Sequence, residues 1–323
     1  MLSAVLFPGT AGGTAVPDSG GDRGGRLGIR LLDAPVIRKN DPRARTYVVD
    51  HLAPGTTIMR RLVVSNMSAI RKRIEMYPAA ARIDHNRFVF MSGRTPNELT
   101  TWISLDHSVV DLAPRGSAVV KTTIRLPKTA WRGEQYAVIW AQEGVEPTAS
   151  HRLGAINRVG IRVYLDVGPG GEPPSDFQIE SLTPSRDPAG SPQIVAQVRN
   201  TGGRALDMSG RLSLSEGPGG LKAGPFPASV GVTLAPGDAA PVKVLLDEHM
   251  PAGPWKVRLT LASGLVKRTV TATLTFPDSG IGKPQEMGFH PSLPVLLAVL
   301  TALASATVLL WVRRRYRSRV GAR

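Results

Sequence analysis

Hydrophobic and polar residues alternate with a period of two in stretch after stretch of this chain. In "VVKTTIRL", Val120, Thr122, Ile124 and Leu126 can face a core while Lys121, Thr123 and Arg125 face water. In "PVKVLLDE", Val242, Val244 and Leu246 take the inner face, with Lys243 and Asp247 opposite. This is the pattern of a half-buried antiparallel strand. "NRVGIRVYLDV" turns Val159, Ile161, Val163 and Leu165 inward, and Arg158, Arg162 and Tyr164 share its outer face.

The strands come in a repeated phrase. "LAPGTTIMRRLVVSN" (52–66), "LAPRGSAVVKTTIRLP" (112–127) and "LAPGDAAPVKVLLDEHMP" (234–251) each lead from a Leu-Ala-Pro corner into such a run. Proline cannot donate to a ladder, so it marks the entrance of a strand. A larger doublet contains them. In both "YVVDHLAPGTTIMRRLVVSNMSAIRKRIEMYPA" and "FQIESLTPSRDPAGSPQIVAQVRNTGGRALDMSGRLSL", the second strand ends on an asparagine, Asn66 or Asn200. Asparagine tolerates left-handed backbone and closes local turns with its side chain. After the later corners, a turn with Gly133 or Gly253 opens a final hairpin. Short strands at regular spacing predict two β-sandwiches, residues 27–168 and 177–277, joined by a Gly/Pro-rich linker at 169–176.

One stretch breaks this pattern. Residues 292–312, "SLPVLLAVLTALASATVLLWV", carry no charge, and about 20 helical residues span a hydrocarbon core of roughly 30 Å. Trp311 stands at its end and six arginines follow in 313–323, which predicts a transmembrane helix with a cytoplasmic tail and the bulk of the chain outside. Residues 278–291 read as a polar stalk. Residues 1–26 read as a partial signal peptide or a disordered N-terminus, because Leu2–Phe7 is a short apolar run with no basic residue before it. The expected fold class is therefore all-β, two tandem sandwiches plus one C-terminal membrane helix.

Charge sharpens the picture. Residues 27–168 hold 21 Lys and Arg against 12 Asp and Glu, whereas 169–277 hold 10 against 9, so the basic excess belongs to the first sandwich. A basic extracellular domain favours anionic polymers or surfaces, and its outward position argues against nucleic acid as partner. The absence of cysteine removes disulfides, thiolate metal sites and cysteine nucleophiles. No G-x-S-x-G, H-E-x-x-H or P-loop is present, the Asp84-His85 and Asp106-His107 pairs point to opposite strand faces, and no cofactor motif is found. The expectation is a non-catalytic protein. Arginine forks suit carboxylates and phosphates, and an exposed indole suits the apolar face of a sugar. The candidates are Arg71 and Arg73 in "AIRKRIEMY", Arg82 and Arg87 in "ARIDHNRF", and Trp131 in the turn "KTAWRGEQY"; Trp102 and Trp140 read as core.

Taken together, "YVVDHLAPGTTIMRRLVVSNMS…IEMYPAAARIDHNRFVF" and "WISLDHSVVDLAPRGSAVVKTTIRLPKTAWRGEQYAVIWAQ" resemble the peptidoglycan-binding domain of WxL-interacting proteins. That resemblance covers less than a third of the chain. It implies a Gram-positive cell-surface protein with a signal peptide, two immunoglobulin-like ectodomains, one membrane helix and a basic tail. On this reading the first sandwich binds peptidoglycan or an attached anionic wall polymer through Arg71, Arg73, Arg82, Arg87 and Trp131. The alternative is an interaction or assembly module that takes a secreted or surface protein onto a sheet edge by strand addition.

Overall fold

The computed structural model describes residues 27–145, 155–229 and 231–287. The first sandwich contains β1 (Leu27–Leu31), β2 (Val48–Leu52), β3 (Thr57–Asn66), β4 (Lys72–Asp84), β5 (Arg87–Phe90), β6 (Ile103–Leu105), β7 (Val109–Leu112), β8 (Ser117–Arg125), β9 (Gly133–Val145) and β10 (Ala155–Val167). One sheet runs β1-β3-β8-β6 and the other β2-β10-β9-β4-β5, with β7 also pairing β4. The first edge strand is thus split between the sheets: β1 lies antiparallel to β3, and β2 lies parallel to β10. This is the immunoglobulin-type arrangement, in which strands equivalent to A, B, E and D face strands equivalent to G, F and C. The switch between sheets is made by the short helix α1 (Pro42–Thr46). Its start is written locally, since Asp41 accepts from the Arg43 N–H at 2.9 Å and Pro42 occupies the first helical turn. A second short helix, α2 (Glu98–Trp102), begins with a capping box between Asn97 and Thr100.

The second sandwich contains β11 (Phe177–Arg186), β12 (Pro192–Asn200), β13 (Leu206–Asp207), β14 (Ser209–Ser215), β15 (Ala223–Pro227), β16 (Thr233–Leu234), β17 (Ala239–Leu245), β18 (Gly253–Ser263), β19 (Val266–Phe276) and β20 (Gln285–Glu286). Its sheets run β17-β12-β11-β20 and β15-β14-β18-β19, with β13 and β16 as a small separate pair. Each sandwich closes over its own apolar core. Leu62, Ile74, Leu99, Val120, Ile139 and Leu165 fill the first, and Leu182, Val198, Leu212, Val242, Trp255 and Leu259 the second. The expected inward residues of β10 behave as read, with Val163 and Leu165 fully buried and Ile161 nearly so.

The duplicated phrase has an atomic explanation. The Asn66 amide donates to the carbonyls of Ile70, Leu112 and Ala113, at 2.7, 3.3 and 3.0 Å. The Asn200 amide donates to the carbonyls of Arg204, Leu234 and Ala235, at 2.8, 3.1 and 3.0 Å. In each domain one buried asparagine ties the end of the second strand to the Leu-Ala of a Leu-Ala-Pro corner and to the residue four places on. The turns at Gly133 and Gly253 match as well, with φ of 112° and 118°.

One expectation changes here. Residues 278–287 do not leave the second sandwich as a stalk: Ile281 bridges Ser185, β20 pairs β11, and the Met287 N–H reaches the Glu180 carbonyl at 2.7 Å. The expected membrane span at 292–312, the basic tail and residues 1–26 lie outside the described residues. Among the described residues no helix is long and apolar enough to cross a membrane.

Candidate interaction site

The five residues expected to grip a wall polymer do not share a surface. Arg71 precedes β4 and Arg73 lies near its start, bridging to Asp111 at 3.4 Å. Arg82 stands nine residues further along β4, about 30 Å away at roughly 3.4 Å per residue. There it bonds Asp84 at 2.9 Å. Arg87 begins β5 beside it, opposite Asp84. Trp131 is 74% exposed, in the turn between β8 and β9. Four of the five are therefore distributed over two ends of one long strand and its neighbour, with no cavity lined by all of them.

The structure instead assembles other residues on the outer face of the β2-β10-β9-β4-β5 sheet. Tyr77, Ala79, Val138 and Trp140 form a small buried cluster there, apart from the central core. Trp140 is thus buried as expected, but against the outside of the sheet. Aromatic rings continue from it toward the second sandwich: Phe90 lies 4.9 Å from Trp140, Phe88 lies 5.5 Å from Phe90, and Tyr164 lies 5.0 Å from Phe88. Guanidinium groups cover this layer. Arg94 lies 4.3 Å over Tyr77, Arg158 4.4 Å over Trp140, Arg162 4.8 Å over Phe88 and Arg43 4.6 Å over Tyr164. A cation over a π face is attracted by the ring quadrupole, so the arginines cover the rings.

Gly160 makes the close approach possible. It lies opposite Trp140 on β9, and a Cβ there would stand 2.7 Å from both the Trp140 ring and the Val138 methyl. The Trp140 Nε1 is buried with no hydrogen-bond partner among the described residues. Beside it an open cavity of about 420 Å³ is lined by Tyr77, Gly93, Arg94, Gln142, Ile156 and Arg158.

Among the described residues, β10 also has an open edge. β9 pairs with it along its whole length, from Ala155 to Val167, but β2 covers its other side only from Val163 to Val167. The Gly168 N–H donates to Leu52 on the β2 side. The register with β9 has no break, so alternation sends the N–H and C=O groups of Gly160, Arg158 and Ile156 to that same, uncovered side. Ile156 is 70% exposed.

At its lower end this face meets the second sandwich through buried charge. Arg204, 1% exposed, donates to Glu134 at 2.9 Å, to Glu172 in the linker, and to the Asp50 carbonyl at 3.3 Å. Asp207 accepts from Arg43 at 2.9 Å, Arg162 at 3.1 Å, the Tyr164 hydroxyl at 2.8 Å and the Thr233 hydroxyl at 2.9 Å. The turn between β4 and β5, with His85 and Asn86 both at positive φ, offers the Asn86 carbonyl to the Thr233 N–H at 2.8 Å. Burial, with the neighbouring carboxylate of Asp207, pushes the Tyr164 hydroxyl well above the usual tyrosine range. Burial and Glu134 do the same to Tyr136. Both phenols are held as neutral donors. Arg87 and Arg162 line a cavity of about 640 Å³ between the sandwiches, with Lys243 across it.

Sequence reasoning had placed Arg158, Arg162 and Tyr164 on one face but missed what they meet, because their ring partners come from β4, β5, β9 and the segment before β2. Arg204 and Asp207 carried a weak signal: two charges in the apolar run "RALDM".

The described residues thus form a tandem pair of immunoglobulin-like sandwiches in which β10 has a partly open edge. Neither a protein-family profile nor a curated protein matches its sequence. Among solved structures, a chain of the Salmonella enterica SafA pilin–SafB chaperone complex is similar with 11% identity and a TM-score of 0.41, covering 76% of this chain and 96% of that one. The YadV chaperone gives 12% identity and a TM-score of 0.39, covering 77% and 99%. The Pseudomonas aeruginosa CupB2 chaperone gives 16% identity and a TM-score of 0.37, covering 72% and 98%. Membership in the WxL-interacting family is corrected accordingly: no family profile matches the chain, that family's included. Peptidoglycan binding through these five residues is withdrawn with it, since they do not converge, and single-pass anchoring is not carried further: among the described residues no helix is long and apolar enough to cross a membrane.

Proposed function

We propose that this protein is a non-catalytic binding protein that takes an extended segment of a protein partner as an added strand on the open edge of β10. The observation that carries the reading is the half-covered strand itself. Ile156, Arg158 and Gly160 offer backbone donors and acceptors in a row, and β2 stops short of them. Such an edge is a template for another strand. Natural edges are commonly blunted by lysine, proline or a bulge. The open stretch of β10 has none of these, and its side chains are an exposed isoleucine, a stacked arginine and a glycine. The open edge of β19 differs, with Lys267 and Arg268 in succession at its start.

The test uses the full chain in its source cells with a photo-crosslinking residue in place of Ile156, and in place of Thr271 on β19 as a control. A discrete adduct from position 156 that is absent from position 271 is expected. It should vanish when Arg158→Pro removes one outward N–H, with the circular dichroism spectrum unchanged. An adduct that survives Arg158→Pro, or equal adducts from both positions, would refute strand addition at β10.

A further inference from the structure

We infer that the segment received by β10 is acidic at the position level with Arg158 and apolar at the positions that alternate with it. This rests on the strand-addition reading and specifies the partner's chemistry. Because strands have a period of two, a residue level with Arg158 points to the same outer face, whichever direction the added strand runs. Arg158 is exposed, lies over the Trp140 ring at 4.4 Å, and has no carboxylate partner among the described residues. Its neighbours differ on that point, since Arg94 is bridged to Glu75 at 2.5 Å and Arg162 to Asp207 at 3.1 Å. The cation–π contact holds the Arg158 guanidinium in place, so an incoming carboxylate meets a pre-positioned fork of donors. Lysine or arginine at that place would face Arg158, with Arg94 across the same cavity. On the other face, the alternating positions of the added strand come level with Asn157, Val159 and Ile161, of which Ile161 belongs to the first core and Val159 packs against it. Apolar side chains there would complete that core.

The experiment mixes the full chain with three synthetic peptides of alternating valine and a second residue: glutamate, glutamine or lysine. Amide hydrogen exchange at Ile156–Ile161 and binding at low and moderate salt are read for each. The glutamate peptide is expected to protect these amides and to bind about three- to fivefold more tightly than the glutamine peptide, the size of an exposed ion pair. That margin should shrink with salt. In Arg158→Glu the order should reverse in favour of the lysine peptide, which a merely structural role for Arg158 would not produce. Equal binding by all three peptides, with the amides still protected, would overturn the acidic preference and leave strand addition standing. Failure of every peptide to protect Ile156–Ile161 would overturn both.

Discussion

Asn66 and Asn200 show how much of this fold depends on single polar side chains. Each amide serves three carbonyls, and each residue is 1% exposed. Leaving buried acceptors without donors costs roughly 1–3 kcal/mol per site. Asn66→Ala should therefore destabilise the protein by about 2 kcal/mol or more, with Asn200→Ala costing a similar amount. Urea unfolding followed by site-specific probes in each sandwich checks this, and each variant should lower the midpoint of its own domain first.

β10 is the element on which both packing and recognition depend. Its inward face was legible from alternation alone, and so was the doublet of corners and turns, because both are local patterns set by strand geometry. The open edge was not legible, since it depends on where β2 begins, and that is fixed by the split at α1. The arginine-covered rings were hidden for a related reason: Gly160, Trp140, Phe90 and Tyr77 come from four strands, and only the register brings them together. Of the five residues chosen from sequence, Trp131 is exposed as read, while Arg71 and Arg73 lie far along β4 from Arg82 and Arg87. Clustering in sequence did not become clustering in space because an extended strand separates its ends. Gly160→Val should force the Trp140 ring aside at about 1–3 kcal/mol, the usual cost of overpacking. Trp140 emission should then shift to the red; an unshifted spectrum would argue against the packing described for Gly160.

The two sandwiches are joined by more than their linker. Arg204 is taken out of water and depends on Glu134, so Glu134→Ala should cost about 3 kcal/mol or more by leaving a buried charge poorly matched. The alkaline behaviour follows from the same junction. Tyr136 and Tyr164 have pKa values raised above the unfolded value of about 10, so the folded form keeps its phenol protons where the unfolded chain loses them. Their contribution is fully present below pH about 10 and declines as pH rises beyond it. Thermal melts between pH 8 and 11 should show this fall, and Tyr164→Phe should flatten it.

One consequence of the Arg204 and Asp207 contacts concerns any attempt to work with half the molecule. A fragment ending at residue 168 would keep Glu134, Arg43 and Arg162 and lose the two residues that answer them, along with Glu172. The complementary fragment would carry an arginine and an aspartate shaped to a surface it no longer has. Each piece would then present unanswered charges where the intact polypeptide has paired ones, and binding seen with either piece alone could belong to that exposed surface.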